Sequence, residues 1–202
     1  HRIGIMRTVT LEQMIGGMGL GPAELAAHMV PELPMEERIP FFEHVTSIEP
    51  DLICEGELRY LGLKGEFRKG KYFAVNEYIL DEPITALALA KTVEKNLGVK
   101  HVRIAGDPKE SGRRISCSFG TPGHLEESLA ENDFVLTGEI CEWANAEFVR
   151  DAAFFGKNKS LLVMTHEGSE RCGMILLQER LAVKYPDITV KYFESGEVYL
   201  EM

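Results

Sequence analysis

The sequence predicts an α/β fold, in which helices flank a mixed or mostly parallel sheet, and three observations support this prediction. Short apolar runs of strand length alternate with longer segments whose apolar residues recur at helical spacing. Glycine and proline lie at the junctions between these segments, where turns and helix ends are expected. Strands and helices that alternate at these lengths imply crossover connections, which place helices over a sheet that is at least partly parallel.

The chain changes character near residue 57, and this change predicts two parts. Residues 1–57 contain the glycine pair Gly16-Gly17 and several prolines, so we expect an irregular, partly helical N-terminal segment. Residues 58–202 carry the regular alternation and form the predicted α/β domain. The chain begins with His1 rather than methionine. We therefore expect either a few extra residues before Met6 or the remainder of a longer N-terminal half.

The first elements of the α/β part are a hairpin and a helix. Residues 58–67 and 72–80 alternate as strands do, and Arg68-Lys69-Gly70-Lys71 between them is typical of a turn. Residues 84–97 are predicted to be helical because acids and Pro83 lie at the start and Gly98 follows the end.

The remaining elements alternate between strands and helices. Gly156 and Pro186 end two of the helices. The predicted strands are 101–105, 114–119, 133–137, 160–165 and 188–193. The predicted helices follow Gly123 to about residue 130 and then cover 143–155 and 169–185.

Composition excludes two classes of partner. The 22 basic and 32 acidic residues leave a net charge of −10, and the densest basic group, 109–114, is small, so nucleic acid is not an expected partner. No apolar stretch approaches the ~18 residues that span a membrane, and the N-terminus lacks the apolar core of a signal peptide. The four cysteines form no C-x-x-C pair and are expected to be buried thiols. A cytoplasmic location is predicted.

The end of the predicted strand 160–165 is the best candidate for a functional site. His166 follows that strand directly and Glu170 lies four residues later. Ligands of α/β proteins bind outside the carboxyl ends of the strands, and His and Glu both bind zinc-like or manganese-like ions. The pattern predicts a metal site, although an acid near a helix start also stabilises the helix by itself.

A second carboxylate lies at the matching position of the preceding strand. Glu139 follows residues 133–137 and Gly138. It could hold a metal-bound water or act as a general base. The alternative is that it is an ordinary acid near a helix N-terminus.

The turn Gly120-Thr121-Pro122-Gly123 lies between a predicted strand and a predicted helix. Free backbone N–H groups at such a position can bind phosphate. The turn lacks the glycine patterns of a P-loop or a dinucleotide-binding fold. An ordinary tight turn and a plain nucleotide-binding domain therefore both stay open.

Residues 58–193 resemble the Nif3-like family of dinuclear-metal proteins, also described as type 2 homologues of GTP cyclohydrolase I. The resemblance rests on ordered motifs rather than on any one of them. These motifs are Val102-Arg103-Ile104-Ala105-Gly106-Asp107, the T-G-E of Thr137-Gly138-Glu139, Glu142-Trp143 with 147–152, and His166-Glu167-Gly168-Ser169-Glu170 followed by Gly173-Met174.

The resemblance implies a metal-dependent hydrolase that acts on a nucleotide or another small phosphorylated or heterocyclic substrate. His166 and Glu170 would be ligands of a centre with two divalent ions, such as zinc, iron or manganese, and Glu139 would lie near it. The resemblance also implies a toroidal homo-hexamer, the assembly of that family. A non-catalytic, oligomeric interaction or regulatory protein on the same scaffold is the alternative.

The N-terminal ligand motifs of that family are missing from this chain. Before residue 58 there is neither a His-His pair nor H-E-P, and Thr165 replaces the glycine that precedes the ligand histidine in the family. His28 and His44 are the histidines of the N-terminal segment that could complete the site. The remaining ligands are expected either upstream of His1 or not at all.

Overall fold

A six-stranded mixed sheet forms the centre of the described structure. The computed structural model describes residues 52–69, 76–121, 125–157, 159–196 and 198. The strands of the described ranges are β1 (Gly65–Lys69), β2 (Asn76–Thr85), β3 (Arg103–Gly106), β4 (Ser111–Ser118), β5 (Phe134–Thr137) and β6 (Ser160–Val163). Their order across the sheet is β1-β2-β4-β5-β6-β3. The pairs β4/β5 and β5/β6 are parallel and the other three are antiparallel, so the predicted fold class is confirmed.

Helices cover both faces of this sheet. The α-helices within the described ranges are α1 (Leu52–Leu61), α2 (Ala86–Leu97), α3 (Leu125–Glu131), α4 (Glu147–Phe154) and α5 (His166–Lys184), and one turn of π-helix, Glu142–Ala146, precedes α4. One apolar cluster joins the sheet to α1, α2 and α5, and a second joins it to α3 and α4. On β5, Phe134 and Leu136 belong to the first cluster and Val135 to the second. The central strands are therefore apolar on both sides, as expected of a sheet with two covered faces.

Helix α2 ends where the sequence predicts but begins two residues later, at Ala86 rather than residue 84. Thr85 is the N-cap, and its Oγ1 accepts a hydrogen bond from the N–H of Ala88 at 3.1 Å. Gly98 ends the helix with a φ of 72°, which only glycine adopts without strain. Pro83 was expected in the first turn but lies in β2, because β2 resumes its pairing with β4 after an irregularity between Ile79 and Ile84.

One predicted strand is partly wrong and another is wrong throughout. Residues 58–61 belong to helix α1, which packs against α5. The buried residues Ile53, Glu57 and Leu61 recur every four positions along this helix. Residues 188–193 are irregular rather than a strand. The segment lies beside α5, where the side chain of Gln178 donates a hydrogen bond to the carbonyl of Val190, so a helix rather than a strand satisfies this backbone acceptor.

Three further expectations concern the first hairpin, the division into two parts and the absence of a membrane span. β1 and β2 form the predicted antiparallel pair, but residues 70–75 of the turn lie outside the described residues. The described residues all belong to one unit, Pro50–Met202. Most of the predicted segment 1–57 lies outside them, so the division at residue 57 stays a prediction. None of the described helices has the length and apolar character needed to cross a membrane.

Candidate metal site at the ends of two parallel strands

The two predicted site segments meet at one edge of the sheet. β5 and β6 are parallel neighbours, so the residues that follow them emerge on the same side. The N–H of Met164 donates to the carbonyl of Thr137 at 2.8 Å and extends this pairing one residue beyond β6. Glu139 and His166 both follow shortly after this link.

Helix α5 begins at His166, three residues earlier than predicted. Thr165 is its N-cap, and Thr165 Oγ1 accepts a hydrogen bond from the N–H of Gly168 at 3.1 Å. His166 and Glu170 consequently lie within one helix at positions i and i+4, which face the same side. The four-residue spacing of His166 and Glu170 is therefore one turn of a helix, and not a loop followed by a helix start as predicted.

The imidazole of His166 lies between two carboxylates. Its Nδ1 is 3.1 Å from Oε1 of Glu139, and its Nε2 is 3.3 Å from Oε1 of Glu170. The side chains of His166 and Glu170 are 22% and 11% exposed, whereas that of Glu139 is 50% exposed. The structure thus brings all three predicted site residues together, with the site open to solvent on the Glu139 side.

The contact between His166 and Glu170 does not have the geometry of a hydrogen bond. Nε2 of His166 and Oε1 of Glu170 are both buried, and neither has a hydrogen-bond partner among the residues that the structure describes. The proximity of Glu170 raises the pKa of His166 above its ordinary value, Glu139 adds to this, and partial burial opposes it. When Nε2 carries no proton, both atoms are acceptors, and their proximity favours a positive charge between them.

A hydrogen-bond network outside the sequence prediction holds the two segments in place. Oγ of Ser169 accepts from the N–H of Gly120 and donates to the carbonyl of His166, each at 2.9 Å. The N–H of Glu139 donates to the carbonyl of Gly120 at 2.9 Å. A Cβ on Gly138 would lie 2.3 Å from Oγ of Ser169, so glycine is required there for this close approach. The only sequence signals for this network are the two glycines beside the strand ends.

The same network bears on the proposed anion-binding turn. The N–H of Gly120 already donates to Ser169 and its carbonyl accepts from Glu139. Residues 122–124, which include the rest of that turn, lie outside the described residues. Gly120 itself therefore has no free N–H for a phosphate.

The donor atoms of His166 and Glu170 are spaced as two ligands of one ion would be. Ligand atoms that lie about 2.1 Å from a zinc-like ion at a tetrahedral angle are about 3.4 Å apart. The observed separation is 3.3 Å. Glu139 contacts the opposite nitrogen, and no group of three or more His, Cys, Asp or Glu side chains in the described ranges could hold a metal ion. The described part of the chain therefore fits half of a metal-binding shell.

Glu142 and Trp143, which belong to the family motifs, lie apart from this pair. Glu142 forms an exposed ion pair with Arg103 at 3.9 Å, and Trp143 is 77% exposed. His28 and His44 lie outside the described residues, so their part in the site stays a prediction.

Comparison with known structures shows the same fold in several proteins. The protein ybgI, of unknown function, is 20% identical and matches with a TM-score of 0.59 over 82% of this chain and 69% of its own. The Staphylococcus aureus hypothetical protein SA1388 is 18% identical with a TM-score of 0.52 over 63% of this chain. A Bacillus cereus protein related to NIF3 is 17% identical with a TM-score of 0.50 over 63% of this chain. The match covers only 37% of the Staphylococcus aureus chain and 36% of the Bacillus cereus chain.

Family assignment rests on the sequence. No curated protein matches the chain. The sequence model of the family Duf34/NIF3 (NGG1p interacting factor 3) matches residues 28–197, which is most of the chain and includes both strand-end segments of the site. The protein therefore belongs to the Duf34/NIF3 family.

Proposed function

We propose that this protein is a metal-dependent hydrolase that acts on a nucleotide or another small phosphorylated or heterocyclic substrate. The observation that carries the proposal is the buried pair of Nε2 of His166 and Oε1 of Glu170. The two atoms are 3.3 Å apart and have no hydrogen-bond partner in the described structure. Membership of the Duf34/NIF3 family supports the proposal, whereas the solved relatives support only the fold.

The roles of the residues follow from their positions. His166 and Glu170 hold a divalent ion such as zinc, iron or manganese from one side, and the full site holds two. A bound ion would act as a Lewis acid, which lowers the pKa of a metal-bound water molecule and stabilises the negative charge that develops on oxygen. Glu139 belongs to the same site, and its half-exposed carboxylate marks the side from which substrate enters. The remaining ligands come from residues outside the described ranges or from another copy of the chain.

The proposal includes a homo-oligomer, a hexamer by the family resemblance, in the cytoplasm. Phe154 and Phe155 on and beside α4, together with Trp143, are more than three-quarters exposed. Large exposed aromatic groups favour an association surface. Size-exclusion chromatography with light scattering measures the oligomer, and a monomer at micromolar concentration would contradict this part.

Metal content per chain tests the proposal directly. The protein is purified without an affinity tag, incubated with zinc, manganese or iron, and analysed by inductively coupled plasma mass spectrometry. About two bound ions per chain are expected. Glu170→Ala is expected to lose them, whereas Glu179→Ala, which removes a partly exposed carboxylate from the same helix, should retain them.

The alternative is a non-catalytic interaction or regulatory protein on the same scaffold. It is favoured by one observation, namely that only two donors converge within the described residues. If the wild-type protein binds none of the three metals, this result would contradict the hydrolase proposal and favour the alternative. Equal metal content in wild type and Glu170→Ala would show that the ions bind elsewhere.

A further inference from the structure

We infer that Glu139 is a positioning residue, whose carboxylate accepts the Nδ1 proton of His166 and so leaves Nε2 as the free ligand atom facing Glu170. The inference deepens the proposed metal site and rests on it for its functional meaning. It changes the role expected for Glu139 from the sequence, where a general base or a holder of bound water was predicted.

The first step of the argument is the geometry at the imidazole. Nδ1 of His166 is 3.1 Å from Oε1 of Glu139, which is within hydrogen-bonding distance. Nε2 is 3.3 Å from Oε1 of Glu170 and makes no hydrogen bond within the described structure. The two carboxylates thus occupy opposite nitrogens of one ring and are not equivalent.

The second step is the chemistry of a neutral imidazole. Such a ring carries one N–H, and an ionised carboxylate can only accept a hydrogen bond. The proton is stabilised on the nitrogen with the closer carboxylate, which is Nδ1 at 3.1 Å against 3.3 Å for Nε2. Nε2 then presents a lone pair on the side of Glu170, where a metal ion would bind. A carboxylate on the second nitrogen of a ligand histidine fixes the tautomer and raises the basicity of the ligand atom.

The third step is that Glu139 is held for this task by its backbone. Its N–H donates to the carbonyl of Gly120 at 2.9 Å, and its carbonyl accepts from Oγ1 of Thr137 at 3.1 Å. Gly120 is in turn tied to Ser169, the residue just before Glu170. The three site residues therefore share one hydrogen-bonded framework, which fixes the backbone of Glu139 beside His166.

A test on metal-free protein separates this inference from the metal proposal. The chain is treated with EDTA, and imidazole ¹⁵N shifts are recorded at a pH at which the rings are neutral. His166 is assigned by the signals that His166→Asn loses. We expect the Nδ1–H form in wild type and in Glu139→Gln, whose amide oxygen still accepts the proton. We expect a mixture of both tautomers in Glu139→Ala.

Zinc affinity, measured by competition with a chromogenic chelator, gives the functional readout. Loss of a carboxylate that orients a ligand histidine weakens metal binding by roughly 10- to 100-fold, which is the expectation for Glu139→Ala. Glu139→Gln should stay within a few-fold of wild type, because it keeps the acceptor.

Two results would overturn the inference. One is an Nε2–H tautomer in wild type, or a tautomer that Glu139→Ala leaves unchanged. The other is a loss of zinc in Glu139→Gln as large as in Glu139→Ala, which would make Glu139 a direct ligand. If wild type binds no metal, the proposed function fails, while the tautomer spectra still decide the positioning role.

Discussion

Replacing Glu57 by glutamine should change how the stability of the protein depends on pH. Glu57 lies on α1 where that helix packs against α5, and its side chain is fully buried. Its Oε1 accepts from the N–H of Cys172 at 2.8 Å, and its Oε2 has no hydrogen-bond partner among the described residues. Burial raises the pKa of Glu57 from 4.5 to about 8, although backbone N–H groups of Cys172 and Gly173 and the charge of Arg171 lower it. The folded protein therefore carries this carboxyl protonated at neutral pH.

The magnitude follows from the difference between the folded and unfolded pKa values. Between pH 4.5 and 8 the unfolded chain releases the proton of Glu57 while the folded chain keeps it. The stability associated with this raised pKa is fully present below pH 4.5 and is lost as pH rises toward 8. Each pH unit corresponds to about 1.4 kcal/mol, so the free energy of unfolding should fall by about 3 kcal/mol between pH 5 and pH 8 through this group alone. Such a loss is a large fraction of the ~5–15 kcal/mol that stabilises an ordinary domain.

Urea unfolding, followed by circular dichroism at pH 5, 6, 7 and 8, measures this effect. Glu57→Gln keeps the shape of the side chain and an acceptor oxygen but has no proton to release, so its stability should fall less steeply with pH. The pKa of His166 is also raised, by the neighbouring Glu170, but His166 is present in both proteins and its effect cancels in the difference. Glu66→Gln on β1 removes one exposed negative charge and serves as the control. Wild-type and Glu57→Gln profiles that run parallel would refute the assignment of a protonated Glu57.

Two further predictions concern the site framework and the core. Ser169→Ala removes the oxygen that accepts from the buried N–H of Gly120, and an unsatisfied buried donor costs about 1–3 kcal/mol, which the midpoint of urea unfolding at pH 7 reports. A change below about 0.5 kcal/mol would contradict this role for Ser169. Phe134→Ala empties a fully buried position on β5 and should destabilise the protein by about 3–5 kcal/mol. Phe154→Ala removes an aromatic ring that is 85% exposed and should change the stability of an isolated chain by about 0.5 kcal/mol or less, so equal effects of the two would disprove the burial pattern.

Errors in the sequence prediction come from contacts between residues far apart in the chain. Residues 58–61 alternate as a strand would, but they complete a helix whose buried face includes Glu57. A carboxylate is not expected on a buried face, and it lies there because α5 supplies backbone donors at Cys172. Residues 188–193 have a pattern typical of a strand, yet the side chain of Gln178 on α5 donates a hydrogen bond to the carbonyl of Val190.

For the candidate site, too, the sequence predicted the local features but not the long-range contacts. The positions of Glu139, His166 and Glu170 were predictable, because each follows an apolar strand and the pattern is local. Their partners were not predictable. Ser169 contacts Gly120, which is 49 residues away in the sequence. Glu139 contacts Nδ1 of His166, whereas Glu170 contacts Nε2.

The sequence by itself determined the fold class, the family, the helix end at Gly98, and the two strand ends that carry the site. These depend on periodicity, capping and glycine, which act over a few neighbouring residues. Only the tertiary structure decided which carboxylate contacts which nitrogen of His166 and that Glu57 lies buried between two helices. Those outcomes depend on packing between distant segments, because burial and hydrogen-bond partners exist only once the sheet and its helices have assembled.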